Sequence, residues 1–189
     1  PKLASIFKYN FIILKKFYNH SLFFLKVVTL KIKNPKLIML PSKHIYALNM
    51  LLKIKKEFDI KKINFFLLAG TLLGAVRQES FAGRPSDIDF GIKSVDQNKF
   101  LNILPNIKKI VLPYKIRVKT KKKIYKIQLI ANNIFIDINF FFNEKSSKSR
   151  WFNPYELSLK NRKKIFFFNK DLDNLKKTKL YGYDFNSPS

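Results

Sequence analysis

At 189 residues the chain fits one domain with room for a core, and it sets 38 lysines and arginines against 12 acids, a net charge of +26. It has no cysteine, which excludes disulfides and thiolate metal sites, and its only histidines, His20 and His44, supply a zinc site or a histidine-based triad poorly. The charge points to anionic partners (nucleic acid, an acidic membrane face, phosphorylated substrates) without choosing among them, and a lysine-rich composition is also what an AT-biased genome produces.

The first third stands apart: residues 1–56 hold twelve lysines and no acid before Glu57. From Ile6 to Lys33, apolar clusters alternate with lysines, and no run approaches the roughly 18 apolar residues of a spanning helix. Residues 1–41 are expected to form a basic, apolar helical segment, read either as a membrane-surface helix with snorkelling lysines or as a helix packed on its own domain. The lysines that break the apolar region argue against a signal peptide. Leu40-Pro41-Ser42 then opens a domain spanning 42–189, with Ser42 as a candidate helix N-cap. Ile45, Leu48, Leu51, Leu52 and Ile54 recur at helical spacing up to about Lys56, and Ile63 to Leu68 reads as a short buried strand ending at Ala69-Gly70. Another helix starts at Leu72 and runs to Arg77, followed by a loop from Ser80 to Ser86. Asp87 to Ile92 alternates as a strand, and a helix is expected over Val95 to Leu104. Ile107–Val118, Lys123–Ile130 and Ile134–Phe142 have strand character, with Asn132-Asn133 as a tight turn, and a helical patch is expected near Asp171 to Leu180. Both histidines are expected on the surface or partly packed. The element order predicts an α+β domain built on a mixed sheet flanked by helices.

Chemistry concentrates in "LLAGTLLGAVR" and "SDIDFGI". Residues two apart in a strand share a face, so Asp87 and Asp89 project together while Ile88 and Phe90 pack the other way. Two carboxylates side by side repel unless a cation lies between them, and oxygen ligands suit magnesium or manganese. Asp137, in the apolar strand "IFIDINFFF", needs a metal, a lysine or an arginine to compensate it. If its strand lies beside that of Asp87 and Asp89, the three acids converge. The turn "AGTLLGAVR" presents Gly70, Thr71, Gly74 and Arg77 as candidate phosphate-binding residues: close backbone approach at glycine, a hydroxyl, a helix N-terminus and a bidentate guanidinium. Such a pairing suits phosphoryl transfer, which relies on positioning and charge neutralisation.

"FLLAGTLLGAVR", "SDIDFGI", "FIDINFFF" and "LYGYDF", in that order, resemble the LicD/fukutin family of the nucleotidyltransferase-fold superfamily from about Phe65 to Phe185. The resemblance implies a nucleotidyltransferase-like fold and a transferase, dependent on Mg2+ or Mn2+, that moves phosphocholine, ribitol phosphate or a similar group from a CDP-linked alcohol to a sugar hydroxyl of a surface glycan. It makes Asp87 and Asp89 metal ligands and Asp137 a third ligand or the base, with Gly70, Thr71 and Arg77 on the donor phosphates. Where many members have a tryptophan and further acids before the paired aspartates, this chain has Arg84-Pro85-Ser86. A cytoplasmic enzyme at the inner face of the membrane is the expected setting. Nucleic-acid binding is not expected, since the basic residues are scattered and no recognised motif is present. Two alternatives stand beside this reading: nucleotidyl transfer to protein, RNA or a small molecule, and a non-catalytic basic protein that binds phosphate surfaces.

Overall fold

A computed structural model describes residues 42–83, 85–121, 123–144, 150–153 and 166–189. The N-terminal segment with His20 lies outside them. Helix α1 (Ser42–Ile60) starts at the residue singled out as a cap and buries Ile45, Leu48, Leu51, Ile54 and Phe58, one stripe at three- and four-residue spacing. Strand β1 (Phe65–Leu67) is fully buried and leads into helix α2 (Ala69–Gln78). Strand β2 (Asp87–Lys93), a short 3-10 turn (Ser94–Asp96) and helix α3 (Gln97–Val111) follow.

Two expectations are corrected here. The segment from Ile107 does not begin a strand: α3 continues through Pro105 and buries Phe100, Ile103, Ile107 and Val111. Proline removes one helical hydrogen bond, but that apolar stripe crosses it in phase, and tertiary packing overrides the local penalty. Nor is Asp171–Leu180 helical throughout; helix α4 covers only Asn169–Asp173, and Lys176–Leu180 is a strand. Lys176 to Leu180 has no helical apolar stripe to bury, and pairing with the final segment satisfies its backbone instead.

The strands after α3 are β3 (Lys115–Lys121), β4 (Lys123–Ala131), β5 (Ile134–Glu144), β6 (Arg150–Phe152) and β7 (Phe166–Phe168), with β8 (Lys176–Leu180) and β9 (Tyr183–Ser187) forming a separate hairpin. Asn132 and Asn133 both take left-handed backbone angles, φ 48° and 57°, as a two-residue hairpin turn requires. The main sheet runs β1-β2-β5-β4-β3, with β6 and β7 added beyond β5. The β2–β5 pair is parallel, whereas β1–β2, β4–β5 and β3–β4 are antiparallel. The result is a mixed sheet flanked by helices, the α+β class that the element order predicts.

The two faces of this sheet differ. Ile88, Phe90, Ile127, Leu129, Ile136 and Ile138 join the α1 and α3 stripes in the main core. Edge-to-face contacts of Phe58 with Phe65, Phe90 and Phe100, ring centroids 5.0 to 5.9 Å apart, knit the layers, each worth about 0.5–1.5 kcal/mol beyond burial. On the opposite face, Phe66, Leu68, Phe141, Trp151 and Leu172 form a smaller apolar cluster at one end. Asp87, Asp89 and Asp137 occupy the remainder of that second face.

Candidate active site

The register of the parallel pair sets the acids. Asp89 lies opposite Asp137 and Asp87 opposite Phe135. Partners across a ladder share a face, so the convergence that the sequence left conditional is present. Asp87 is exposed, Asp89 half-buried, and Asp137 only 7% exposed.

Helix α2 is tied to this strand through the backbone of Asp89. Leu68 N–H donates to the Asp89 carbonyl at 3.0 Å, and Asp89 N–H donates to Thr71 Oγ1 at 2.9 Å. The buried Thr71 hydroxyl oxygen therefore anchors the strand, while its residue still lines the cleft. Ala69 turns the chain between strand and helix with φ 46°. The N-cap, Leu68, makes no side-chain cap bond, so the first-turn N–H groups at Gly70 and Thr71 have no helical acceptor and mark the positive end of the dipole. A cleft of about 180 Å³ joins the parts, lined by Gly70, Thr71, Ala82, Ser86, Asp87 and Asp89, with Phe81 and Pro85 as its apolar wall.

Gly74 and Arg77 stand elsewhere. A Cβ on Gly74 would lie 2.2 Å from Ser80 O and 2.4 Å from Ala82 N, so this glycine lets the 80–82 segment cross the helix closely and form the cleft wall. Arg77 is exposed in the last turn, roughly 12 Å along the axis from the helix start, and is not among the lining residues. Gly70, by contrast, faces open space, with nothing within 4 Å of an added Cβ.

Sequence reasoning missed the support of that wall. Tyr181, in the β8–β9 turn, accepts Phe81 N–H at 3.4 Å and meets His44 Nδ1 at 2.5 Å through its hydroxyl, while its own N–H donates to Glu79 O at 2.6 Å. The rings of His44, Phe81 and Tyr181 pack edge to face, with centroids 5.7 to 6.2 Å apart. The "LYGYDF" motif was the available signal for Tyr181; nothing near His44 marked it. Burial lowers the His44 pKa, opposed by a hydrogen bond to the Gly83 backbone, with Lys43 lowering it further.

The acids perturb one another. Asp89 is pushed up to about 7, first by burial and next by Asp137, against the opposing field of Lys126. Asp87 is raised by burial and Asp137, and lowered by Lys126 and Lys43. Asp137 is held on both oxygens: Gln128 Nε2 donates to Oδ1 at 2.7 Å, and Lys126 Nζ pairs with Oδ2. Among the described residues no three acidic or histidine side chains form a ready-made ligand set.

The arrangement sets paired carboxylates on one strand, a third on its parallel neighbour and an uncapped helix start beside them, groups chemically suited to a cation and to phosphate. The family model described as the LicD/FKTN/FKRP nucleotidyltransferase domain matches residues 62–189, and the chain belongs to that family. An uncharacterized protein, RT0683, of Rickettsia typhi (strain ATCC VR-144 / Wilmington) is 34% identical over 121 residues, 64% of this chain and 37% of that protein. The chain thus spans little more than a third of that relative's length. Among solved structures, the antibiotic-resistance factor ANT(2'')-Ia is similar at TM-score 0.44 and 12% identity, over 77% of this chain and 66% of that one. Among the described residues, no helix is long and apolar enough to cross a membrane.

Proposed function

We propose that this domain moves a phospho-alcohol, such as phosphocholine or ribitol phosphate, from a CDP-linked donor to a sugar hydroxyl of a cell-surface glycan. The observation that carries the reading is the cleft lined by Asp87 and Asp89 together with Gly70 and Thr71 of the uncapped start of α2, with Asp137 in register beside Asp89. The acceptor oxygen forms a bond to the phosphorus that bears the alcohol. The bond from that phosphorus to the bridging oxygen breaks, CMP leaves, and the hydroxyl proton passes to a carboxylate of the site.

The residues fit a hard divalent ion. All donors are carboxylate oxygens, and the burial and mutual repulsion that raise Asp87 and Asp89 are both offset by a cation. Asp87, Asp89 and Asp137 would hold Mg2+ or Mn2+, which neutralises phosphate charge when bound. The N–H groups at Gly70 and Thr71 meet the donor phosphates.

CMP formation from CDP-choline, CDP-ribitol and CDP-glycerol, with Mg2+ or Mn2+ and a sugar acceptor, tests the reading. Metal-dependent CMP that stops with EDTA is the expected result. Retention of the nucleotide half on the acceptor would instead assign the site to nucleotidyl transfer. No turnover of any donor at any metal concentration would overturn the proposed donor class.

A further inference from the structure

Among the ion pairs of the described residues, Lys126–Asp137 is the one with both side chains enclosed, 12% and 10% exposed; Lys93 is nearly as enclosed at 17%, but its partner Asp173 is 53% exposed. An enclosed lysine is costly unless its charge is met, so this contact is built into the site and is not a chance surface pair. Strand alternation explains the placement. Lys126 and Gln128 share the β4 face that looks toward Asp137, with Gln128 directly opposite Asp137 and Lys126 opposite Asn139.

The row continues outward. Arg117 on β3 lies opposite Gln128 and donates from Nη1 to Gln128 Oε1 at 3.2 Å. Arginine has only donors, so it takes the amide oxygen and turns the amide NH2 toward Asp137. Both Asp137 oxygens are therefore committed before any ion arrives.

We propose that Lys126 is the resident counter-ion of Asp137 and competes with a divalent cation for that carboxylate, with Gln128 and Arg117 as positioning residues. This rests on the cation site proposed above. A cation that takes Asp137 must displace the ammonium, which holds metal affinity down in the protein alone. Binding strengthens once a donor diphosphate adds its own oxygens, since Mg2+ is commonly held by one or two carboxylates together with substrate phosphates.

The test is Mn2+ affinity by titration calorimetry on the wild type, Lys126→Met, Asp137→Asn and the Lys126→Met/Asp137→Asn double variant. Lys115→Met, an exposed lysine on the same sheet face, controls for the general field. Lys126→Met should bind Mn2+ tighter by on the order of tenfold. Lys115→Met should change it by less than about twofold, as expected of a screened surface charge. In the Asp137→Asn background the gain from removing Lys126 should fall to about twofold or less, because only its field on Asp87 and Asp89 is then removed and no paired carboxylate is released. The inference is overturned if Lys126→Met gains no more than the Lys115 control, if the full gain persists without Asp137, or if neither wild type nor Lys126→Met binds Mn2+. Lys126→Gln, which keeps a hydrogen-bond donor without the charge, replaces Lys126→Met if the latter does not fold and should shift affinity in the same direction. CMP formation assayed in parallel separates the failures. CMP without the affinity gain sinks the counter-ion inference alone; the gain without CMP sinks the proposed function alone.

Discussion

Replacing Asp89 by asparagine should stabilise the metal-free protein while abolishing its chemistry. Asp89, ordinarily near 3.8, is pushed up to about 7 by burial and by Asp137. That difference is worth about 4 kcal/mol between its ionised and neutral forms. The side chain keeps some solvent contact, which screens part of the penalty, so a gain of about 2–4 kcal/mol is expected at pH 8. The sign follows from proton binding. Between about pH 4 and 7 the folded protein holds this proton and the unfolded chain has lost it, so wild-type stability falls as pH rises through that window and levels above it. The asparagine variant lacks this slope, and the two proteins should agree near pH 4. The strand anchor survives, because the bond to Thr71 uses the Asp89 backbone N–H. Urea unfolding in EDTA from pH 4 to 8 measures the difference, which corresponds to roughly 4–16 °C in melting temperature. Saturating Mg2+ should narrow the gap, stabilising the wild type by about 2.7 kcal/mol at a hundredfold excess over Kd. A variant no more stable than wild type at pH 8, with an unchanged pH slope, would refute the account of Asp89 as a carboxylate strained by its neighbours.

Other substitutions separate the roles within α2. Gly74→Ala should cost about 3 kcal/mol or more, because its methyl meets backbone at 2.2 and 2.4 Å and the 80–82 wall must move; an unchanged melting temperature would contradict the close crossing. Gly70→Ala, with open space at that position, should keep or raise stability by up to about 1 kcal/mol while raising the donor KM, as differential scanning and steady-state kinetics would show. Thr71→Val keeps the shape but removes the acceptor of Asp89 N–H, and should cost about 1–3 kcal/mol in urea unfolding together with kcat. Arg77→Ala should change kcat/KM by less than about threefold, since the side chain is exposed and outside the cleft; a hundredfold loss, about 2.7 kcal/mol, would place the guanidinium on the donor.

Much of this domain was legible in local pattern. The period of two over Asp87 to Ile92 put both aspartates on one face, the Asn132-Asn133 turn joined its strands, and the order of four short motifs carried the family. These features depend on neighbours in the chain, where backbone geometry alone sets which side chains share a face. The reading broke where distant packing decided the outcome: the helix expected to end at Leu104 continues through Pro105 to Val111, because the apolar stripe on both sides of the proline lies in one phase and is buried. The four candidate phosphate-binding residues of the turn do not all line the cleft. Gly70, Gly74 and Arg77 are close in sequence, yet helical rise carries Arg77 away from the cleft and turns Gly74 into the packing contact of a loop. Only the tertiary structure brought Tyr181 and His44 to the cleft wall, 137 residues apart in the chain. It also chose Lys126 from among many lysines as the partner of Asp137, because a strand sequence states which residues share a face but not which strand will lie alongside.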